Sequence, residues 1–380
     1  MEFGLPDEGR FVGRAWLPGT GPALVERRGD RLVDVTSAEV PTMRDLLELD
    51  DPLGWLDAQA GRDLGSLADF AATGAAGDAA RLLSPADLQA IKASGVTFAA
   101  SMVERVIEEQ AAGDPDLAAG IRARIGEAIG ANLRGIVPGS DRAAEVARIL
   151  KAEGLWSQYL EVGIGPDAEI FTKCQPMASV GWGADVGLHP ISRWNNPEPE
   201  IVLAVDSRGR IKGATLGNDV NLRDVEGRSA LLLGKAKDNN ASAAIGPFIR
   251  LFDGSYGLDD VRRAELTLRV EGQDGFVLEG ASSMAQISRD PADLVAQAVG
   301  RHHQYPDGFM LYLGTLFAPT QDRDAAGQGF THHAGDVVTI AEPGLGALVN
   351  TVRLSTDCPP WDFGAAALMR NLAARGLLGA

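Results

Sequence analysis

The chain has 380 residues, 45% of them hydrophobic and 23% charged, which is enough apolar surface for a sizeable core at a length that suggests two to three domains. Fifty-two acids against 35 bases leave a formal charge of −17. That balance argues against a nucleic-acid groove or an anionic membrane surface, both of which need basic patches, but not against a small anionic substrate, because a local cation or metal reverses the sign inside one cleft.

Only two cysteines occur, Cys174 and Cys358, so no disulfide framework beyond one bridge can form and a reducing compartment is expected. The stretch from Met1 to Glu8 has neither a basic region nor an apolar one of the leader type. No apolar run approaches the roughly 20 residues that span a bilayer. A cytoplasmic, soluble protein is the expectation.

Three β-prone segments open the chain, Phe11 to Trp16, Ala23 to Glu26 and Leu32 to Val35. Arg28-Gly29-Asp30 reads as the hairpin turn between the last two rather than as an adhesion motif. Pro41 opens a short helix through Leu49. Residues 51–80 are rich in Ala, Gly and Asp with weak periodicity. They predict a loop with one short helix, joining a small N-terminal β-rich domain (1–80) to the remainder. Helical patterning dominates 101–154: Met102, Val106 and Glu109 mark one segment, Leu117 to Ile129 a second, and Ala143 to Leu150 a third behind Ser140-Asp141. This helical segment is assigned to packing or an oligomer contact. Strand-like runs then recur at Ile201 to Val205, Ile211 to Leu216, Ala264 to Val270, Gly308 to Leu313, Asp336 to Ile340 and Ala347 to Val352. One helix starts at Asp290-Pro291 and runs to about Val299, and another near Phe363 to Ala374 closes the chain. The pattern predicts an α+β fold with a mixed β-sandwich or β-roll catalytic domain over 81–380.

The chemistry concentrates between Glu198 and Pro247. Glu198 and Glu200 stand two apart at a strand entrance, and residues i and i+2 of an extended segment share a face. Two carboxylates converging there suit a hard divalent cation, although an isolated Glu-x-Glu is more often two solvent-facing acids. A strand-turn-strand unit then delivers Gly217-Asn218-Asp219, where Asp219 is either a third ligand or a simple Asx-turn. Arg223 and Asp224 can form an ion pair that stiffens this corner. Lys235, Lys237 and Gly246-Pro247 follow.

This window resembles the fumarylacetoacetate hydrolase superfamily, whose members pair a Glu-x-Glu with a later Asn-Asp-Val-x-x-Arg-Asp and then a Lys ahead of Gly-Pro. The spacings are similar to those of the branch that dehydrates 2-keto-3-deoxy-D-pentonates (arabinonate or xylonate), and the distance to Gly246 selects Lys237 over Lys235. The resemblance implies Glu198, Glu200 and Asp219 as metal ligands and Lys237 as a catalytic residue. It adds Glu169, in a segment ending Phe171-Thr172-Lys173, as the acid facing the site. It places the substrate among Lys173, Gly314, Thr315, Ser101 and Arg105. One departure carries weight. The family's hydrolases set a His-led dyad at a helix start, whereas Gly95-Val96-Thr97-Phe98 leads here to Ser101, with Glu104 and Arg105 one turn on. Without the imidazole, water activation loses its usual base, which favours a lyase. The pairs His302-His303 and His332-His333 diverge on helix or strand and do not make a metal site by spacing.

The expectation is therefore a metal-dependent hydro-lyase, using Mg2+ with Mn2+ or Ca2+ admissible, that converts 2-keto-3-deoxy-D-pentonate to 2,5-dioxopentanoate in pentose catabolism. Its partner is a small-molecule 2-keto acid, with no nucleic acid and no membrane, and the resemblance implies a homodimer or homotetramer. Acylpyruvate C–C hydrolysis, decarboxylation and isomerisation are the alternatives within the superfamily. A non-enzymatic calcium-binding β module is the alternative of another class, opposed by the missing glycine and terminal Glu of an EF-hand loop.

Overall fold

The strand that carries Glu200, Pro199–Val205, is buried at every position, as its continuous Ile-Val-Leu-Ala-Val run requires of a strand covered on both faces. In the computed structural model, which describes residues 3–72, 79–122, 133, 135–152, 154–317, 319, 321–325 and 329–378, it lies inside an eleven-stranded sheet. The order is Arg62–Ser66, Arg31–Asp34, Gly21–Arg28, Arg10–Leu17, Ala243–Leu251, Ile211–Asp219, Pro199–Val205, Phe309–Tyr312, Ala90–Gly95, Glu169–Cys174, with Arg81–Leu83 added beside Arg10–Leu17. Its pairs are antiparallel except Phe309–Tyr312 with Ala90–Gly95. A five-stranded sheet runs Val277–Ser283, Glu265–Glu271, Val337–Glu342, Gly346–Leu354, Asp185–Leu188.

The two sheets share one core. Ile201, Leu203, Val205 and Leu311 of the large sheet meet Leu268, Val270, Ile340 and Leu348 of the small one. On the other face of the large sheet, Val202, Ala204, Ile249 and Met310 lie under Met43, Leu46 and Leu56 from the helices Met43–Glu48 and Pro52–Ala58. Helices covering one face of a largely antiparallel sheet and a second sheet covering the other make an α+β architecture.

Several local expectations shift. The helix expected from Pro41 starts at Met43, because the Thr42 hydroxyl caps it by accepting from the Asp45 N–H at 3.2 Å. Within 51–80 the described residues form two helices, Pro52–Ala58 and Leu67–Ala72, and the strand Arg62–Ser66 rather than a loop with one helix. The large sheet runs across residue 80, since Arg10–Leu17 pairs directly with Ala243–Leu251. That latter strand has all nine residues buried. The strand passes through Gly246-Pro247 with a register irregularity opposite Ala214 and Leu216, the arrangement that lets a sheet accommodate a residue without an N–H.

The helix Ala99–Gln110 packs Met102 and Val106 against Leu150, Leu160 and Ile164. The third expected helix extends over Asp141–Ala152, and Gln158–Ile164 adds an unanticipated one. Of the expected Leu117 to Ile129 helix, 115–122 is helical and the following residues lie outside the described ones. No helix among the described residues is long and apolar enough to cross a membrane.

Candidate active site

The ends of two neighbouring strands build the centre. Glu200 sits opposite Gly217 across the Pro199–Val205 and Ile211–Asp219 pair, and the Asp219 N–H donates to the Glu198 carbonyl at 3.1 Å. Glu198, Glu200 and Asp219 are thereby brought together, buried, each offering a carboxylate oxygen within 4.8 Å of the others. The Gly314 N–H donates to Glu200 Oε2 at 2.6 Å. A Cβ at position 314, where φ is +89°, would stand 2.0 Å from Thr97 Oγ1, so this close approach requires glycine. Lys237 Nζ donates to Glu198 Oε2 at 2.6 Å and to Asp219 Oδ2 at 3.1 Å. Burial, then the charges of Asp219 and Glu198, push the Glu200 carboxyl well above its ordinary range. Burial acts on Asp219 in the same direction, but the Lys173 and Lys237 ammonium groups outweigh it and hold that carboxyl low.

These residues open onto a cavity with about 530 Å³ of space including its mouth. Glu169 and Phe171 reach it from the strand Glu169–Cys174, Ser101, Glu104, Arg105 and Glu108 from the helix Ala99–Gln110, and Arg223 and Glu226 from the short helix Arg223–Glu226. Among the described residues, seven carboxylates line it against three cations, Arg105, Arg223 and Lys237. Burial, then the neighbouring Glu226 charge, raise the Glu169 carboxyl to about 7. The three converging carboxylates form an all-oxygen donor set, suited to a hard cation rather than to a metal that prefers thiolate or imidazole. The acid excess around them fits a site completed by positive charge.

The sequence-predicted residues divide. Lys237 is buried and Lys235 is exposed. Ser101 lines the cavity, its hydroxyl donating to the Phe98 carbonyl at 2.9 Å. The Thr315 hydroxyl lines it too and accepts from the Phe317 N–H at 3.0 Å. Arg105 is fully engaged, with Glu198 at 2.6 Å, Glu108 at 2.7 Å and Glu226 at 3.0 Å. It clamps the helix Ala99–Gln110 onto the carboxylate triad instead of presenting a free cation. Lys173 departs most from expectation. It is absent from the cavity lining, and its Nζ lies 2.7 Å from Asp219 Oδ1 while donating to the Val220 and Lys237 carbonyls at 3.1 and 2.5 Å. It supports Asp219 from behind. Lys173→Met should therefore destabilise the fold by about 3–5 kcal/mol, the usual cost of breaking a buried charge pair, read as a fall in the denaturation midpoint; an unchanged midpoint would contradict this placement.

Arg223 and Asp224 do not pair. Arg223 turns inward to Glu108 at 2.6 Å and Glu104 at 3.3 Å and stacks on Trp194 at 4.2 Å, while Asp224 accepts from the Ser192 hydroxyl and the Arg193 N–H. Sequence reasoning missed Glu108, Arg223 and Glu226 as lining residues. For Glu108 the available signal was spacing, since Ser101, Glu104, Arg105 and Glu108 recur at three- and four-residue steps along one helix; nothing along the chain marked Arg223 or Glu226 as facing the same cavity.

Residues 164–353 match the family described as fumarylacetoacetate (FAA) hydrolase, C-terminal. The chain belongs to the fumarylacetoacetate hydrolase family. Two curated relatives of this family member are 30% identical to it: the "Probable 2-keto-3-deoxyxylonate dehydratase" of Haloferax volcanii, over 51% of this chain and 63% of the relative, and the "2-dehydro-3-deoxy-D-arabinonate dehydratase" of Saccharolobus solfataricus, over 49% and 58%. The matched region thus spans less than two thirds of either relative. Among solved structures, a 2-keto-3-deoxy-D-arabinonate dehydratase complexed with magnesium and 2,5-dioxopentanoate superposes with a TM-score of 0.63 at 19% identity, covering 91% of this chain and 99% of that one. A 5-carboxymethyl-2-hydroxymuconate delta-isomerase from Mycobacterium smegmatis gives 0.53 at 21% identity, covering 90% and 98%. The fold is that of the fumarylacetoacetate hydrolase family.

Proposed function

We propose that this chain is a Mg2+-dependent hydro-lyase that dehydrates a 2-keto-3-deoxy-D-pentonate to 2,5-dioxopentanoate. The observation that carries the reading is the convergence, in one buried cavity, of the Glu198–Glu200–Asp219 triad, the Lys237 ammonium and the raised Glu169 carboxyl. On the resemblance to the family, Ser101 takes the position at which its hydrolases carry a histidine, and this supports a lyase over a hydrolase. The names of the two curated relatives support the same reaction class.

Glu198, Glu200 and Asp219 would hold the cation, which when bound supplies Lewis-acid polarisation of a 2-keto carboxylate. Glu169 takes a proton from C3, and the freed electron pair forms the C3–C4 double bond as the C4–O bond breaks. Lys237 gives its proton to the departing hydroxyl, which leaves as water. Glu169 then returns its proton to C3 while the now neutral Lys237 takes one from C5, and the resulting enol becomes the C5 aldehyde as C4 gains a proton and the C5 hydroxyl gives one up, for a net loss of one water. Arg105 holds the helix Ala99–Gln110 against the cavity through Glu198 and Glu226.

Product formation is the direct test. The protein is incubated with 2-keto-3-deoxy-D-pentonate, and separately with its C4 epimer, in Mg2+ and in excess EDTA. 2,5-Dioxopentanoate should appear with metal alone. No product from folded protein under either condition would overturn the dehydratase and turn attention to acylpyruvate hydrolysis on the same triad.

The pH profile follows from Glu169. A carboxyl raised to about 7 is protonated below that pH and becomes a competent base above it, so kcat/KM should rise with pH through about 7. The rise should vanish in Glu169→Gln. A limb that falls through the same region would instead make Glu169 the proton donor.

A further inference from the structure

The strand Ala90–Gly95 pairs with Glu169–Cys174 in a register that sets Gly95 directly opposite Glu169 and Ser94 opposite Ile170. Residues opposite each other in a sheet share a face, so the Glu169 side chain rises over Gly95. A Cβ built at position 95 would lie 2.0 Å from Glu169 Oε2, 2.7 Å from its Cδ and 3.3 Å from its Cγ, and these are its three nearest atoms. The space a side chain would fill at 95 is thus taken by the Glu169 carboxyl itself. Gly95 is not among the residues with positive φ, so its backbone would accept any residue; what position 95 excludes is volume.

The chain just beyond is built to hold this close approach. Val96 has φ +53°, a left-handed conformation that is an outlier for a β-branched residue and persists only where its surroundings over-determine it. Those surroundings are on hand. Thr97 Oγ1 donates to the Leu313 carbonyl at 2.7 Å, the Ser288 N–H donates to the Thr97 carbonyl at 2.8 Å, and Phe98 bridges Ile287. The turn ends the strand at Gly95, directly under the carboxyl, and sends the chain into the helix that carries Ser101 and Arg105.

We propose that Gly95 is the positioning residue for Glu169: the missing side chain at 95, held in place by the Val96 turn, sets where the Glu169 carboxyl stands in the cavity. This rests on the reading of Glu169 as an acid–base group. Because the obstructed atoms are the far end of a flexible side chain, a methyl at 95 displaces the carboxyl and leaves the strand intact.

The test compares Gly95→Ala, Glu169→Ala and the double variant in Mg2+ with 2-keto-3-deoxy-D-pentonate. It is read by kcat, KM, thermal midpoint, the Mg2+ titration and the crystal structure of Gly95→Ala. Misplacing a reacting group by about 1 Å costs on the order of 10²-fold. Gly95→Ala should therefore lower kcat by about 10–100-fold, with KM, Mg2+ midpoint and thermal midpoint close to wild type and the carboxyl visibly moved. In the Glu169→Ala background, where the obstruction is gone, the same substitution should change kcat by less than about twofold. Equal losses in both backgrounds, wild-type kcat in Gly95→Ala, or an unmoved carboxyl would each overturn the inference. Wild-type kcat in Glu169→Ala would overturn the acid–base reading of Glu169 and the inference with it.

Discussion

Lys237→Ala should lower turnover by about 10²–10⁴-fold, the usual worth of a positioned acid or base, and Glu169→Gln should do the same. Lys237 is buried, with Nζ 2.6 Å from Glu198 and 3.1 Å from Asp219. Arg105 and Arg223, the other cations among the described lining residues, are already engaged by Glu108, Glu198, Glu226 and Glu104. Neither can take over the proton. The metal behaves differently. Alanine removes positive charge beside three carboxylates, so the Mg2+ titration should shift, if at all, to lower concentration. In EDTA the variant should melt below wild type, because Glu198 and Asp219 lose their shared counter-charge, and Mg2+ should restore the difference. Steady-state kinetics alongside thermal melts with and without metal read both effects. Turnover within about threefold of wild type would remove Lys237, or Glu169, from the mechanism.

Glu200→Gln should abolish metal-dependent turnover and the stabilisation that Mg2+ confers. A ligand at 100 times its dissociation constant stabilises by about 2.7 kcal/mol, so loss of one of three carboxylates is visible directly in the melting curve. The amide keeps an oxygen to accept from the Gly314 N–H, which Glu200 Oε2 does at 2.6 Å, so the local structure is retained. The metal-free protein should meanwhile melt no lower than wild type. Burial and the charges of Asp219 and Glu198 push the Glu200 carboxyl up, so Glu200 costs the fold stability once the pH is above the ordinary carboxylate range, and the permanently neutral amide relieves that cost. A variant whose Mg2+ titration matches wild type would contradict the ligand assignment; one that melts far lower in EDTA would contradict the electrostatic account of the site.

Much of the centre was readable along the chain. Glu198 and Glu200 are two apart on an extended segment, and that spacing alone puts them on one face. Lys237 rather than Lys235 came from its distance to Gly246, and it is the buried one. The runs around Ile201, Ile211 and Ala347 became strands because each is apolar, bounded by turn residues and of strand length. Where a proline interrupts the pattern, as in Ala243–Leu251, the same reasoning fails, because the sheet supplies an irregularity that no local preference announces.

Lys173, Arg105, Arg223 and Gly95 had no comparable signal. Arg105 meets Glu198 from 93 residues away and Arg223 meets Glu108 across 115, and no periodicity encodes a contact at that separation. Lys173 carries the same charge whether it faces a substrate or the back of Asp219; burial decided for Asp219. By itself, then, the sequence determined which residue types stand at which short-range spacing, because strand and helix periods are local properties of the backbone. Which charges are partnered, which carboxyl is raised, and what occupies the space over Gly95 were settled only in the tertiary structure, because burial and long-range register set the dielectric and the neighbours on which those properties depend.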